Sequence, residues 1–236
     1  MNENFGYSLH TGVTYYLITL RNIFNEEYMP FCRHPLTRLV SAYRQRFANG
    51  KLPQLKIWNK RPLQTKKSFN NYWLPLIISH NIIPATERQA LGIPHKDPMR
   101  KMYSATLLKK VHARLGKTFH ITFPMFLRHV IYTHQIKQVD SHWRPIEWLC
   151  SPCLLHYDYI VKLETMTEDV KYVFEQLNIP SDPEKRKNVE RSTKSPWADL
   201  EKYKYVPLDL KKEIVRLYWN DFYLFDYKLP PGFLDQ

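Results

Sequence analysis

The stretch that most constrains this chain runs from Tyr28 to Phe47, where a short apolar run gives way at Arg33-His34-Pro35 to a helical period. Tyr28–Cys32 reads as a strand. Beyond it Leu36, Leu39, Val40 and Tyr43 recur at helical spacing, leaving Arg38, Arg44 and Arg46 for another face. Pro35 suits the first turn of the helix, where its missing N–H costs no hydrogen bond. A strand running straight into a helix leaves unpaired backbone N–H groups and the positive end of the helix dipole at the junction. Arg33 stands at that junction, and Ser41 lies about two turns further on. A guanidinium fork, a hydroxyl and a helix N-terminus together suit a phosphate monoester. The plainer reading of the same residues is an arginine capping or salt-bridging a solvated turn.

At 236 residues the chain is expected to form a single domain, 1–236, with a substantial core. A hydrophobic share of 44%, with 14% aromatic, excludes a disordered chain. The net charge of +13 directs attention to polyanions: nucleic acid, acidic lipid or acidic glycan. No RRM, zinc-finger or helix-turn-helix signature is present, so nucleic acid is not the expected partner. No apolar run reaches the roughly 18 residues of a membrane span, and Thr11–Leu20 is a poor signal peptide because Arg21 ends it early. The 3 cysteines leave the redox compartment open.

Taken in order, the periodicity predicts a helix over Tyr15–Glu26, then the pivotal strand and helix. Ala48–Lys67 reads as a basic loop (Lys51, Lys56, Lys60, Arg61, Lys66, Lys67) able to lie against an acidic chain or simply to be solvated. Asn71–Ile83 is mixed, and Pro84–Met99, with its prolines, reads as irregular. Arg100–Leu115 is helical with a basic face, and Pro124 opens a helix whose apolar stripe is Phe126–Tyr132. Tyr157–Leu163 alternates like a buried strand, Glu168–Leu177 is an amphipathic helix, and Asp209–Phe225 is a final one. Alternating strands and helices imply layers around a parallel sheet, with helix predominating.

The densest group of reactive side chains is Asp140-x-His142-Trp143-x-Pro145, followed by Cys150-x-x-Cys153-x-x-His156. The cysteine pair with His142 or His156 is one tetrahedral zinc set, though a second CxxC is missing. A redox pair and two merely packed or oxidised cysteines are the other readings. His142 is the candidate general base, since imidazole titrates near neutrality, and Asp140 could orient it. Glu147 is the fallback base. Against this stands a His142 that only packs beside Trp143 and shapes a pocket.

Three strings, in one order, resemble a known family. Arg33-His-Pro-Leu-Thr-Arg38-Leu-Val-Ser41-Ala-Tyr43-Arg44 is similar to the 3′-phosphate-binding motif of Golgi carbohydrate sulfotransferases. The most similar branch holds the chondroitin 4-O, dermatan 4-O, GalNAc 4-O and HNK-1 enzymes. The Asp140–Thr165 region resembles their second block, and Leu217-Tyr218-x-x-Asp221-Phe222-x-Leu224-Phe225-x-Tyr227 resembles their C-terminal motif. The resemblance implies a helix-rich α/β, P-loop-like sulfotransferase fold with a parallel sheet flanked by helices. It implies PAPS (3′-phosphoadenylyl sulfate) as donor, no metal, and an acidic glycan acceptor. Arg33 and Ser41 would grip the 3′-phosphate, and Arg191, Ser192 and Thr193 would lie in a polar loop near the nucleotide. Arg144 would hold an acceptor carboxylate or decorate the surface, and His34 would add positive charge beside the phosphate.

One departure stands out. In the family a basic loop upstream of the Arg33 position cradles the 5′-phosphosulfate, and residues 1–27 contain no such stretch. The expectation is therefore a domain N-terminally truncated relative to the family, its first strand and loop missing. Residence in the Golgi lumen would depend on an anchor absent from this sequence. The alternative is a catalytically impaired remnant that binds glycan or nucleotide without sulfuryl transfer.

Overall fold

The structure is a computed structural model describing residues 17–19, 28–52, 69–93, 105–116, 119–178 and 196–235. Strand β1 (Leu17–Thr19) pairs antiparallel with β2 (Tyr28–Cys32), with Ile18 opposite Met29. β2 pairs in parallel with the short β3 (Val161–Lys162), Cys32 opposite Lys162. Among the described residues these make a three-stranded sheet of order β1-β2-β3. Among the described residues, the expected parallel sheet flanked by helices is represented only by the β2–β3 pair. The helix predicted across Tyr15–Glu26 is a strand at residues 17–19, where pairing with β2 overrides the local period; residues 20–27 lie outside the described set.

Helix dominates the rest. α1 (Pro35–Arg46) buries Leu36, Leu39, Val40 and Tyr43, the apolar stripe read from sequence. α2 (Leu74–Ser79) follows a wide π turn at Phe69–Trp73, and α3 (Ala85–Leu91) replaces the first part of the irregular stretch expected over Pro84–Met99, of which residues 94–99 lie outside the described set. Pro84 sits at the cap, so it opens a helix. α4 (Ala105–Leu115) precedes α5 (Phe123–Gln135), whose N-cap Thr122 accepts from the Met125 N–H at 3.3 Å. α6 (Ile146–Cys150) and α7 (Met166–Gln176) flank β3. The alternating Tyr157–Leu163 is strand only at β3, because its outer residues find no neighbouring strand.

A 3₁₀ segment (Pro196–Tyr203) leads to α8 (Leu208–Leu217) and α9 (Trp219–Leu224). The predicted single C-terminal helix breaks at Tyr218, whose backbone (φ −105°, ψ 17°) leaves the helical region while its ring stays buried.

The main core is aromatic. Phe126 of α5 lies edge-on to Trp143 (5.7 Å, 87°) and tilted against Phe47 (5.3 Å). Gly50 fixes the turn after α1: its φ is +87°, and a Cβ there would stand 2.0 Å from the Ile121 carbonyl. That contact, with Ile121 N–H donating to Gly50 O at 3.0 Å, ties the end of α1 to the start of α5. A small separate cluster joins Val161 of β3 to Val173 of α7.

Candidate functional site

α1 carries polar side chains on three faces, and each face meets a different part of the chain. Its start is held tightly. His34 N–H donates to Glu164 Oε1 at 2.9 Å, across the β2–β3 pair. The His34 ring accepts from Leu36 N–H at Nδ1 (3.3 Å), so its Nε2–H donates to Lys228 O at 3.0 Å. Both ring nitrogens are thereby satisfied in the neutral form, and burial lowers the imidazole's pKa below its ordinary value. The positive charge expected from His34 beside a phosphate is not supplied; this residue caps the helix.

Arg33, at the same junction, donates from Nε to Thr37 Oγ1 at 3.1 Å and from its terminal nitrogen to Asp199 Oδ2 at 3.3 Å. Burial lowers the Arg33 pKa from its ordinary value, with Asp199 and Glu164 opposing the shift. Arg44, three turns along, contacts the other oxygen of Asp199. At about 100° of rotation per residue, Thr37, Ser41 and Arg44 share one stripe of α1. The predicted pair Arg33 and Ser41 therefore does lie along one line, with Ser41 half-buried in it. Arg44 is the member that sequence reading left on an undefined face. A search for polar side chains at i, i+4 and i+7 starting from Thr37 would have found it. Asp199 had no such signal, because it reaches the stripe from 166 residues away.

The second face holds Arg38, which is fully buried. Its guanidinium pairs with Asp221 of α9 at 3.4 Å and lies 5.5 Å from the centre of the Tyr218 ring. Asp221 also accepts from Ile146 N–H (2.8 Å) and Glu147 N–H (2.9 Å), the first residues of α6. Burial raises the Asp221 carboxyl pKa against the pull of Arg38 and these N–H groups. The Tyr218 hydroxyl donates to Trp143 O. One buried carboxylate thus joins the helix after Arg33, the segment after His142 and the C-terminal helices.

The third face ends at Arg46, whose guanidinium contacts His142 Nε2 and lies 5.5 Å from the Tyr72 ring centre. His142 Nδ1 contacts Asp140 Oδ1, which also accepts the His142 backbone N–H at 2.9 Å. A carboxylate accepts, so in the neutral ring Nδ1 carries the proton toward Asp140 and Nε2 has its lone pair free to accept. Burial opposes the charged form of Asp140, but the His142 hydrogen bonds and the Arg46 charge outweigh it and hold the carboxyl below its ordinary value. Trp143 anchors the turn, 2% exposed, with Nε1–H donating to Thr133 Oγ1 at 3.0 Å. His142 beside it lies edge-on to the buried Tyr72, at 6.2 Å.

A cleft of about 1090 Å³ opens beside this turn, with Asp140, Trp143 and Arg144 in one wall and Asn71, Ser79 and His129 among the others. Arg144 lies in that wall with one nitrogen donating to Val139 O at 2.7 Å. The structure therefore joins Asp140 to His142 and Arg33 to the Ser41 stripe, but sets these two groups on different faces of α1. Arg191, Ser192 and Thr193 lie outside the described residues, as does most of the basic loop from Ala48 to Lys67. On α4, Lys109 and Lys110 are exposed, while Arg114 is committed to Glu87. Cys150 is a buried free thiol and Cys153 an exposed one. Burial pushes the Cys150 thiol up to about 11. No cluster of metal-ligating residues occurs among the described residues, nor a helix long and apolar enough to cross a membrane.

Comparison with known proteins agrees with the motifs. A family model described as the sulfotransferase family matches residues 10–228. The chain is 25% identical over 209 residues to carbohydrate sulfotransferase 12 of Mus musculus, covering 86% of this chain and 41% of that protein. It is 26% identical over 210 residues to carbohydrate sulfotransferase 14 of Homo sapiens, 85% of this chain and 42% of that one. The mouse carbohydrate sulfotransferase 14 is 30% identical over a shorter 141 residues, 56% of this chain and 36% of that protein. The chain thus spans less than half the length of these relatives. No solved structure matches it. With the Arg33 stripe, the Asp140–His142 pair and the Asp221 tie all inside the matched span, the chain belongs to the sulfotransferase family.

Proposed function

We propose that this chain carries the catalytic machinery of a carbohydrate O-sulfotransferase, moving a sulfuryl group from PAPS to a hydroxyl of an acidic glycan, most like the chondroitin 4-O branch. The observation that carries the reading is the Asp140–His142 pair, whose tautomer leaves Nε2 as the proton acceptor. The acceptor hydroxyl oxygen forms its bond to sulfur as the sulfur–oxygen bond to the donor phosphate breaks. Nε2 takes the hydroxyl proton, and the electron pair leaves with the phosphate oxygen of the nucleotide product. Asp140 holds the imidazole and stabilises the imidazolium that forms. For the acceptor to reach Nε2, the Arg46 guanidinium gives up that contact, leaving a cation close to the developing charge.

Arg33 and Ser41 bind the donor's 3′-phosphate, with Arg191, Ser192 and Thr193 as further nucleotide donors. The glycan is read by charge, from Lys109, Lys110 and Arg144, and the cleft beside Asp140 has the volume for several sugar rings. The relatives' names support a carbohydrate acceptor. The donor, the 4-O position, a P-loop-like sheet and a Golgi lumen address follow the sequence resemblance. A second reading, a nucleotide or glycan binder without transfer, is favoured by the Arg46 contact that occupies Nε2.

Transfer of labelled sulfate from PAPS to desulfated chondroitin tests the proposal. Transfer that falls by about 10²–10⁴ in His142→Ala supports the base assignment. Binding of the product nucleotide PAP that is lost in Arg33→Ala, with no transfer by the native chain, selects the second reading. A folded chain that binds no PAP sinks both.

A further inference from the structure

We infer that Arg44 is the second cation of the phosphate seat on α1, and that Asp199 is a resident anion filling this seat until a phosphate monoester displaces it. The inference rests on the donor-site reading for Arg33 and extends it to Arg44, the last residue of that motif, and to Asp199, which lies outside it. Arg33 and Arg44 are 11 residues apart, so their Cα atoms stand roughly 16 Å apart along the helix. The same carboxylate nevertheless touches both, one oxygen to each guanidinium. Two long side chains thus converge on one point over the Thr37–Ser41 stripe. A two-oxygen anion sits where a phosphate, with more oxygens and more charge, would use the same donors.

The anion is carried on a short segment that packs on α1 through Leu200 and Tyr203, so only the Asp199 side chain has to turn away. Asp199 belongs to the 3₁₀ stretch 196–203, a short and weak kind of helix. That stretch is fixed at its far end by Tyr203, which is buried and donates to Leu36 O at 3.1 Å. Asp199 therefore sits four residues before an anchor, on the side leading back to residues 191–195. Its side chain is 20% exposed and that of Arg44 is 44% exposed, so water reaches the contact and exchange needs no opening of the core. The buried Arg38–Asp221 pair on the next face has neither property.

Displacement balances simply. The phosphate monoester takes both guanidiniums, and the Asp199 carboxylate moves into water, so no bond is made or broken covalently. The resident carboxylate then acts as an internal competitor. It keeps two like charges from repelling each other when no nucleotide is present, and lowers affinity for any anion that fits.

The test is calorimetric titration of the native chain, Asp199→Asn and Arg44→Ala with PAP, with ADP (which lacks the 3′-phosphate) and with inorganic phosphate. Asp199→Asn is isosteric and should bind PAP roughly 3- to 10-fold more tightly, the range expected when a partly exposed ion pair no longer competes. Arg44→Ala should bind PAP more weakly by a similar factor, with ADP unchanged in both. If Asp199→Asn binds PAP no better than the native chain while Arg33→Ala abolishes binding, the resident-anion inference is overturned and the donor-site reading stands. If inorganic phosphate binds more tightly to Asp199→Asn but PAP does no better than phosphate, the seat is real and the nucleotide reading fails. No binding of PAP or phosphate by any folded variant overturns both. Thermal melts of each variant check the fold. A merely structural Asp199 predicts a lower melting temperature with weaker binding, the opposite sign.

Discussion

Two arginine–aspartate pairs leave the same helix and behave as different objects. Arg38–Asp221 is fully buried at 3.4 Å, and its carboxylate also closes the start of α6. Arg33–Asp199 is no farther apart, at 3.3 Å, but each side chain is about a fifth exposed and the carboxylate is shared with Arg44. Distance does not separate them; surroundings do. Removing one partner of the buried pair strands a charge in a medium that cannot solvate it, whereas water replaces either partner of the exposed one. The first pair can only hold structure together, and the second is able to exchange its anion.

The largest effect is expected at the buried pair. Asp221→Ala should cost about 3–5 kcal/mol, since it leaves the Arg38 guanidinium and two backbone N–H groups without their acceptor. Urea unfolding of the native and variant chains measures this. The contrast breaks if Asp221→Ala unfolds within 1 kcal/mol of native (the ordinary cost of an exposed pair). Replacing both partners at once, Arg38→Met with Asp221→Leu, should recover a large part of the loss, because no charge is then stranded.

Acid sharpens the same contrast, because the buried side of the molecule holds neutral histidines and the Asp199 stripe holds none. Burial pushes His129 down to about 3 and His134 down to about 4. The folded state refuses protons that the unfolded chain accepts below its ordinary value of 6.5. Stability from these groups is therefore complete above pH 6.5 and falls as pH drops toward 4, by about 1.4 kcal/mol per pH unit for each histidine. Asp140, held below the ordinary carboxylate value, adds a further loss only at pH below about 3.9. Urea midpoints at pH 7 and pH 5 check this: a native chain equally stable at both would refute it. His129→Gln should flatten the slope by one histidine's share.

The same division explains what could be read from sequence. The β2–α1 junction and the apolar stripe of α1 were legible because strand period, Pro35 and helical spacing agree locally. Asp140 and His142, two residues apart, likewise share one turn. The strand at Leu17–Thr19 was missed, and β3 was read correctly but too long, because pairing with β2 decides both and pairing is not local. Asp199 and the anchoring role of Asp221 were invisible for the same reason: their arginine partners lie 155 to 183 residues away. His34 was read as a cation because sequence does not show that Phe222 and Tyr227 enclose its ring.

The smallest effect is the most discriminating. Asp199→Ala should change stability by less than about 1 kcal/mol, since a partly exposed pair gains little net energy after side-chain ordering and salt screening. Two opposing effects keep it small: the contact is lost, but Arg33 keeps Thr37 Oγ1, and both guanidiniums gain water. Raising salt from low to physiological strength should shrink even this difference, while leaving the Asp221→Ala loss nearly unchanged, because screening barely reaches a pair with no exposed surface. A melting-temperature difference for Asp199→Ala that is large and indifferent to salt would place Asp199 with Asp221 as a structural tie. The stripe on α1 would then lose its claim to be an exchangeable anion seat.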